Sequence, residues 1–154
     1  MTTTQRTTLK QRLLAECRRM QQLKADHARQ AMLAVQESAL EDHSAEDVFE
    51  SFRETCQRQR DLFARQLDEA LSGLQVLQRV PEARSPKNQV GLGSVVITNT
   101  QRFYVSLSLG EIRVDDTAYF ALSAFSPLFQ AMAPHHPGDT FQFRGQTYRI
   151  QEIF

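Results

Sequence analysis

The feature that most constrains this chain is a change of hydrophobic period part-way along it. From residue 9 onward the apolar residues fall at Leu9, Leu13, Cys17, Met20, Leu23, Ala28, Ala31 and Val35. Steps of mostly three and four place them on one face of an α-helix. The stripe breaks over residues 38–45, SALEDHSA, and resumes at Val48, Phe52, Cys56, Phe63, Leu67, Leu71, Leu74 and Leu77, with Gln59 interrupting it. Two amphipathic helices joined by a short polar connection predict an antiparallel pair with the stripes buried against each other. A single continuous helix that dimerises is the alternative, and Ser, Asp and His in the break argue against it. Each helix of about 30 residues would run ~45 Å. Thr7 or Thr8 can cap the first, and Ser44, three residues before Asp47, the second.

After residues 81–89, PEARSPKNQ, the chain reads differently. Before them there is no Pro and one Gly, Gly73; Pro81 and Pro86 lie within the segment, and the other three Pro and the other five Gly follow it. Ser94–Thr98, Phe103–Leu109, Tyr119–Ser123, Thr140–Phe143 and Tyr148–Ile153 alternate like strands. Asn99-Thr100, Asp115-Asp116, Gly138-Asp139 and Arg144-Gly145 read as turns. Ser126-Pro127 predicts a short helix to about Met132, with Ser as N-cap and Pro in the first position. The expected fold is therefore α+β: a helical coiled-coil hairpin over 1–80, a linker at 81–89, and a small β-rich domain of about five strands and one short helix over 90–154.

Formal charge is zero, from 18 basic and 18 acidic side chains, so no global field draws in nucleic acid or acidic membranes. The charges are nevertheless segregated. Residues 1–29 carry Arg6, Lys10, Arg12, Arg18, Arg19, Lys24 and Arg29, whereas residues 30–52 have no Lys or Arg and six acids. Those acids are Glu37, Glu41, Asp42, Glu46, Asp47 and Glu50, an acidic tip near residues 37–50. No apolar run approaches the ~20 residues that cross a bilayer, and no signal-like block opens the chain, which predicts a cytoplasmic protein.

Motifs for a haem, dinucleotide or P-loop site are absent from the sequence, as is HExxH. Cys17 and Cys56 fit neither a disulfide framework nor a zinc set. With a turn at 41–43, Cys56 would lie across from about residue 27, near His27, and the two sulfurs ~15 Å apart. Both cysteines are expected to be buried small hydrophobes. His135 and His136 sit in a loop between two Pro residues without a third ligand at metal spacing. No Ser–His–Asp or Cys–His arrangement has supporting context, so no self-contained catalytic centre is expected.

The acidic tip carries the clearest chemistry. Six carboxylates with no cation nearby repel one another unless water or a cation screens them. Carboxylates are hard ligands that suit Mg²⁺. Acids favoured by the N-terminal dipole of the second helix give the same cluster without any metal.

The ordered motifs of residues 90–154 resemble the Gre family of bacterial transcript-cleavage factors. VGLGSVVITN opens the domain as the Gre pattern V-x-x-G-x-x-V does, and FALSAFSPLFQAM resembles the family's serine–proline segment. PGDTFQFRGQTYRIQEI resembles its closing G-D-x-V…Y-x-I-x-x-I hairpin. It resembles in particular the Gre-like proteins of the Bacteroidetes type, in which SAEDVFESFR (44–53) matches the stretch just after the tip. This resemblance implies an FKBP-like C-terminal domain that docks beside the secondary channel of bacterial RNA polymerase, through the region of Ser126, Pro127 and Asp139. It further implies a hairpin that enters the channel, where tip carboxylates hold a second Mg²⁺ and orient water. Backtracked RNA is then cut by two-metal chemistry at the polymerase's own centre. The chain would be an accessory factor rather than an enzyme, touching nascent RNA only indirectly and reading no DNA sequence.

Asp42, Glu46, Asp47 and Glu50 are the candidate carboxylates, with Asp42, Glu46 and Asp47 as metal ligands. The usual family tip resembles D-x-x-E-N-x-E-Y; here E-D-H-S-A-E-D-V-F-E offers either Asp42 with Glu46 or Asp47 with Glu50, and Phe49 replaces the tyrosine. A Gre-like regulator that binds the same way without cleavage is the alternative. A coiled-coil chaperone and a prolyl isomerase are alternatives of other classes, the latter weakened because fold does not imply function.

Overall fold

The computed structural model describes residues 1–41, 46–81 and 88–154, with the backbone alone at 40–41 and 46–49. The fold is α+β, as the change of period predicts. Helices α1 (Thr3–Glu41) and α2 (Glu46–Gln78) precede strands β1 (Val95–Thr98), β2 (Arg102–Ser106), β3 (Gly110–Val114) and β4 (Thr117–Ser123). A short α3 (Pro127–Met132) then leads to β5 (Thr140–Phe143) and β6 (Gln146–Ile153). Two compact units divide the chain: Met1–Arg19 with Gln75–Phe154, here the sheet unit, and Met20–Leu74, here the helical unit. No helix among the described residues is long and apolar enough to cross a membrane.

In the sheet unit, α1 begins earlier than its threonines suggested. Thr2 Oγ1 accepts the Gln5 N–H at 3.2 Å, and Gln5 Oε1 accepts the Thr2 N–H at 2.8 Å. That is a capping box, closed by Gln at the third helical position. Thr7 and Thr8 stand inside the helix instead, each hydroxyl donating to the carbonyl four residues back at 3.0 Å.

The sheet has six strands in the order β3-β4-β2-β1-β6-β5. Strand β3 was not anticipated, and β2 ends at Ser106 rather than Leu109. Glu-Ile-Arg-Val alternates exposed, buried, exposed, buried, and the Asp115-Asp116 turn that follows has both φ angles positive, 51° and 60°. This is the two-residue hairpin geometry that matches strand twist. Strand β4 lies parallel to β2 and antiparallel to β3. The short connection over 107–109 therefore steps across one strand position, ~10 Å at the usual strand spacing, and the returning hairpin fills the gap.

One face of the sheet packs α3. Val96, Phe103, Val105, Leu122, Met132, Phe141, Tyr148, Ile150 and Ile153 form that core. Strand alternation turns Val95, Tyr104 and Ser106, also buried, to the opposite face. The first turns of α1 cover this second face with Leu9, Leu13, Leu14 and Cys17, all buried, as is Leu77 at the end of α2. A register shift between Ile97 and Thr98 places Glu152 opposite Ile97 and Ile150 opposite Thr98. The bulge re-aims β6, so Ile150 and Ile153 both enter the α3-side core while Glu152 reaches Arg6 on α1 at 2.9 Å. Gly93 is the glycine with a demonstrable need: its φ is +87°, and a Cβ there would meet the Pro81 carbonyl oxygen at 3.1 Å.

The helical unit is an antiparallel pair. Gln21 Nε2 donates to the Ala70 carbonyl at 3.0 Å, which centres the pairing near residues 45–46. Among the described residues the buried positions are Gln21, Ala25, Ala28, Cys56, Ala70 and Gly73. Leu23 and Leu71, expected in the seam, are 43% and 37% exposed. Small side chains and one amide take the places assigned to leucine because they let two helix backbones approach closely.

Candidate functional site

The acidic segment lies between the two long helices. Glu41 ends α1, and Glu46 and Asp47 open α2. Asp42 and Ser44 lie outside the described residues, as do the side chains of Glu46 and Asp47. Glu37 and Glu50 are exposed. The backbone thus puts acids on both sides of the connection, and Glu46 and Asp47 where the positive end of the α2 dipole stabilises negative charge.

The basic residues of the first helix are largely engaged elsewhere. Arg12 forms a bidentate pair with Asp115 at 2.6 and 2.7 Å. Arg6 joins Glu152 and lies 4.9 Å above the centre of the Phe154 ring. Arg19 pairs with Glu16, which holds the Glu16 carboxyl below its usual range. Arg29 approaches Asp26 at 3.5 Å. Lys10 is buried, and desolvation lowers its pKa. The expected basic stem is therefore partly spent on holding α1 to the sheet and on its own helix. Arg53, Arg58, Arg60 and Arg65 on α2 are exposed, with no carboxylate within ion-pair distance among the described residues.

At the other end of the chain, Ser126 caps α3 as expected: its hydroxyl accepts the Phe129 N–H at 3.2 Å and donates to the Ser123 carbonyl at 2.8 Å. Pro127 is the first helical residue. Phe125 N–H donates to Ser123 Oγ at 3.1 Å, so the turn is fixed while the Phe125 ring stands 86% exposed. Beside it, Ser126, Pro127, Phe120, Leu122, Leu128 and Phe143 line a largely apolar groove of about 280 Å³. Asp139 does not line this groove. It sits in the loop before β5, where its carboxylate accepts the His136 N–H at 2.8 Å. Phe125 was missed as a candidate because an exposed aromatic looks the same in sequence as a buried one.

Cys17 and Cys56 are both free and buried, as expected. Cys17 lies 3.6 Å from Ser106 Oγ, and burial pushes its thiol up to about 11. Cys56 lines a groove with Val35, Gln36 and Ala39 rather than lying near His27, which shares a different groove with Phe63, Gln66 and Glu69. The expected turn at 41–43 displaced this register. His135 and His136 do acquire a third polar neighbour: each Nδ1 approaches Asp139 Oδ2, at 3.7 and 3.9 Å. Among the described residues, no group of three His, Cys, Asp or Glu side chains is assembled closely enough to hold a metal ion as it stands.

No family model matches the chain, and no curated protein or solved structure matches it either.

Proposed function

We propose that the chain is a Gre-like factor that binds bacterial RNA polymerase and presents an acidic helical tip to the polymerase's secondary channel. The observation that carries this reading is the coincidence of charge with architecture. The acid-rich stretch free of Lys and Arg falls where α1 ends and α2 begins, at the end of an antiparallel pair whose register is fixed by Gln21 and Ala70. From residue 20 to Glu41, α1 runs ~33 Å at 1.5 Å per residue, a reach suited to a buried active centre. Tip carboxylates would share a Mg²⁺ with the polymerase, and only there, because one or two protein carboxylates suffice for that ion.

The motif resemblance of residues 90–154 supports the choice of partner and the FKBP-like description of the sheet unit. The fixed, exposed Phe125 beside an apolar groove supports docking through the Ser126–Pro127 region. Exposed aromatics that need no ordering on binding make strong anchors. Phe49, where the family's cleavage tips carry tyrosine, favours a second reading in which the same binding mode retunes the polymerase without RNA cleavage.

The test is a direct binding titration of the full chain against purified core polymerase. Specific binding is expected, weakened roughly tenfold or more by Phe125→Ala, as for an anchor residue. Absence of binding would dismiss both readings and leave a coiled-coil chaperone or scaffold.

A further inference from the structure

We propose that strand β3 is a self-association edge, on which a second copy of this chain adds its own β3 antiparallel about Ile112. The sheet order leaves β3 and β5 as the outer strands. On its inner side β3 pairs with β4 over all five of its residues, Gly110–Val114. On its outer side it has no strand partner among the described residues. Such an edge carries unpaired N–H and C=O groups that template a further strand. Strand β5, the other edge, has four residues and no charged one, so charge selects no register there.

On β3 charge selects both the occupant and the register. Glu111 and Arg113 are exposed and alternate with the buried Ile112 and Val114. A two-fold axis normal to the sheet keeps Ile112 and Val114 of both copies on one face, so β3 meets itself with one residue opposite its own counterpart. Centred on Ile112, the whole strand overlaps. Gly110 then opposes Val114 of the second copy, and Glu111 opposes its Arg113, once on each side of the axis. Opposite charges across a ladder stabilise it, whereas like charges directly opposite destabilise it. Centring on Glu111 or on Arg113 instead sets that charge against itself and shortens the overlap. Within one chain Glu111 and Arg113 stand 3.7 Å apart, with side chains 64% and 66% exposed. That separation is longer than a hydrogen bond and screened by water, so re-pairing across the edge costs little. A formal net charge of zero adds no long-range repulsion between copies. Two short strands bury less than the ~1,200 Å² of a standard interface, which makes the dimer weak and reversible.

The test is analytical sedimentation of the full chain at protein concentrations up to ~1 mM, where weak association shows. A reversible dimer is expected, with concentration-dependent amide shifts centred on Gly110–Val114. Glu111→Arg and Arg113→Glu each turn two attractive pairs into two repulsive ones and should weaken association about tenfold or more. An equimolar mixture of the two single variants should associate again, because each strand then carries the sign the other lacks. The double variant, Glu111→Arg with Arg113→Glu in one chain, should likewise recover. Both side chains are exposed, so dilute variants should keep the wild-type amide spectrum outside β3, which separates loss of pairing from loss of fold. Absence of association at the highest concentration overturns the proposal. So does a dimer that survives both single substitutions, which places the interface elsewhere, and so does a mixture of the two variants that stays monomeric.

Discussion

The sheet unit and the helical unit bury their interiors in different ways. The sheet unit closes over large side chains: Phe103, Tyr104, Leu13, Leu14, Ile112, Met132 and Ile150 are all essentially inaccessible. The helical unit's buried positions among the described residues are small, Ala25, Ala28, Cys56, Ala70 and Gly73, with Gln21 among them. Its larger residues, Phe63 and Leu67, are only partly covered. Two helices alone cannot enclose a Phe, whereas a sheet covered on both faces can. Apolar burial contributes about 25 cal/mol per Å² removed from water, so stability should be concentrated in the sheet unit. Gln21 Oε1 is buried without a hydrogen-bond partner, and such a group costs about 1–3 kcal/mol.

The comparison can be broken by substitution. Leu13→Ala empties a position with no exposure at all and should cost about 3 kcal/mol, within the usual 2–5 for a core leucine. Chemical denaturation would show it as a lower midpoint at unchanged slope. Loss of less than about 1 kcal/mol would mean that α1 is not part of the sheet unit's core.

Alkaline pH offers a second route, through Cys17. Its thiol is pushed up to about 11 in the folded chain, by burial first. A raised thiol pKa means the fold favours the neutral form. The stability is fully present below the unfolded thiol's pKa of ~8.5, and is lost as pH rises towards the folded value. Wild type should therefore lose about 2–3 kcal/mol more than Cys17→Ala across that window. Parallel pH profiles for the two proteins would contradict the burial of this sulfur.

Smaller effects sharpen the contrast. Leu67→Ala, at a half-buried seam position of the helical unit, should cost about 1 kcal/mol, well under the core value. A cost equal to that of Leu13→Ala would erase the difference between the units. Arg12→Ala should cost less than about 1 kcal/mol despite its bidentate geometry, because both partners are more than half exposed and water screens the pair.

Sequence patterning made the α+β class legible because the periods of helix and strand differ so plainly. The α3 cap was equally legible: Ser-Pro before an apolar run has few other uses. Strand β3 went unseen because Gly110–Val114 contains only two buried residues and follows a run already read as strand. The helical seam was misplaced at Leu23 and Leu71 because side-chain hydropathy does not reveal where two backbones pack through alanine. The composition change near residues 81–89 does not show that residues 1–19 pack with the sheet, because helical periodicity says which face is buried but not against what. The neighbours of Arg6 and Arg12 are equally hidden, since both partners lie more than a hundred residues away in the chain. At the acidic segment, charge marked the position, while the roles of Asp42, Glu46, Asp47 and Glu50 are proposals that rest on the family resemblance.

The most direct measurement is RNA length in a stalled, backtracked elongation complex incubated with the full chain and Mg²⁺. Shortened RNA is predicted, formed at a rate that falls sharply when the metal-holding tip carboxylates are replaced singly by Ala. Intact RNA at saturating protein would contradict the cleavage account, and slowed nucleotide addition in the same reactions would transfer the chain to the regulatory reading.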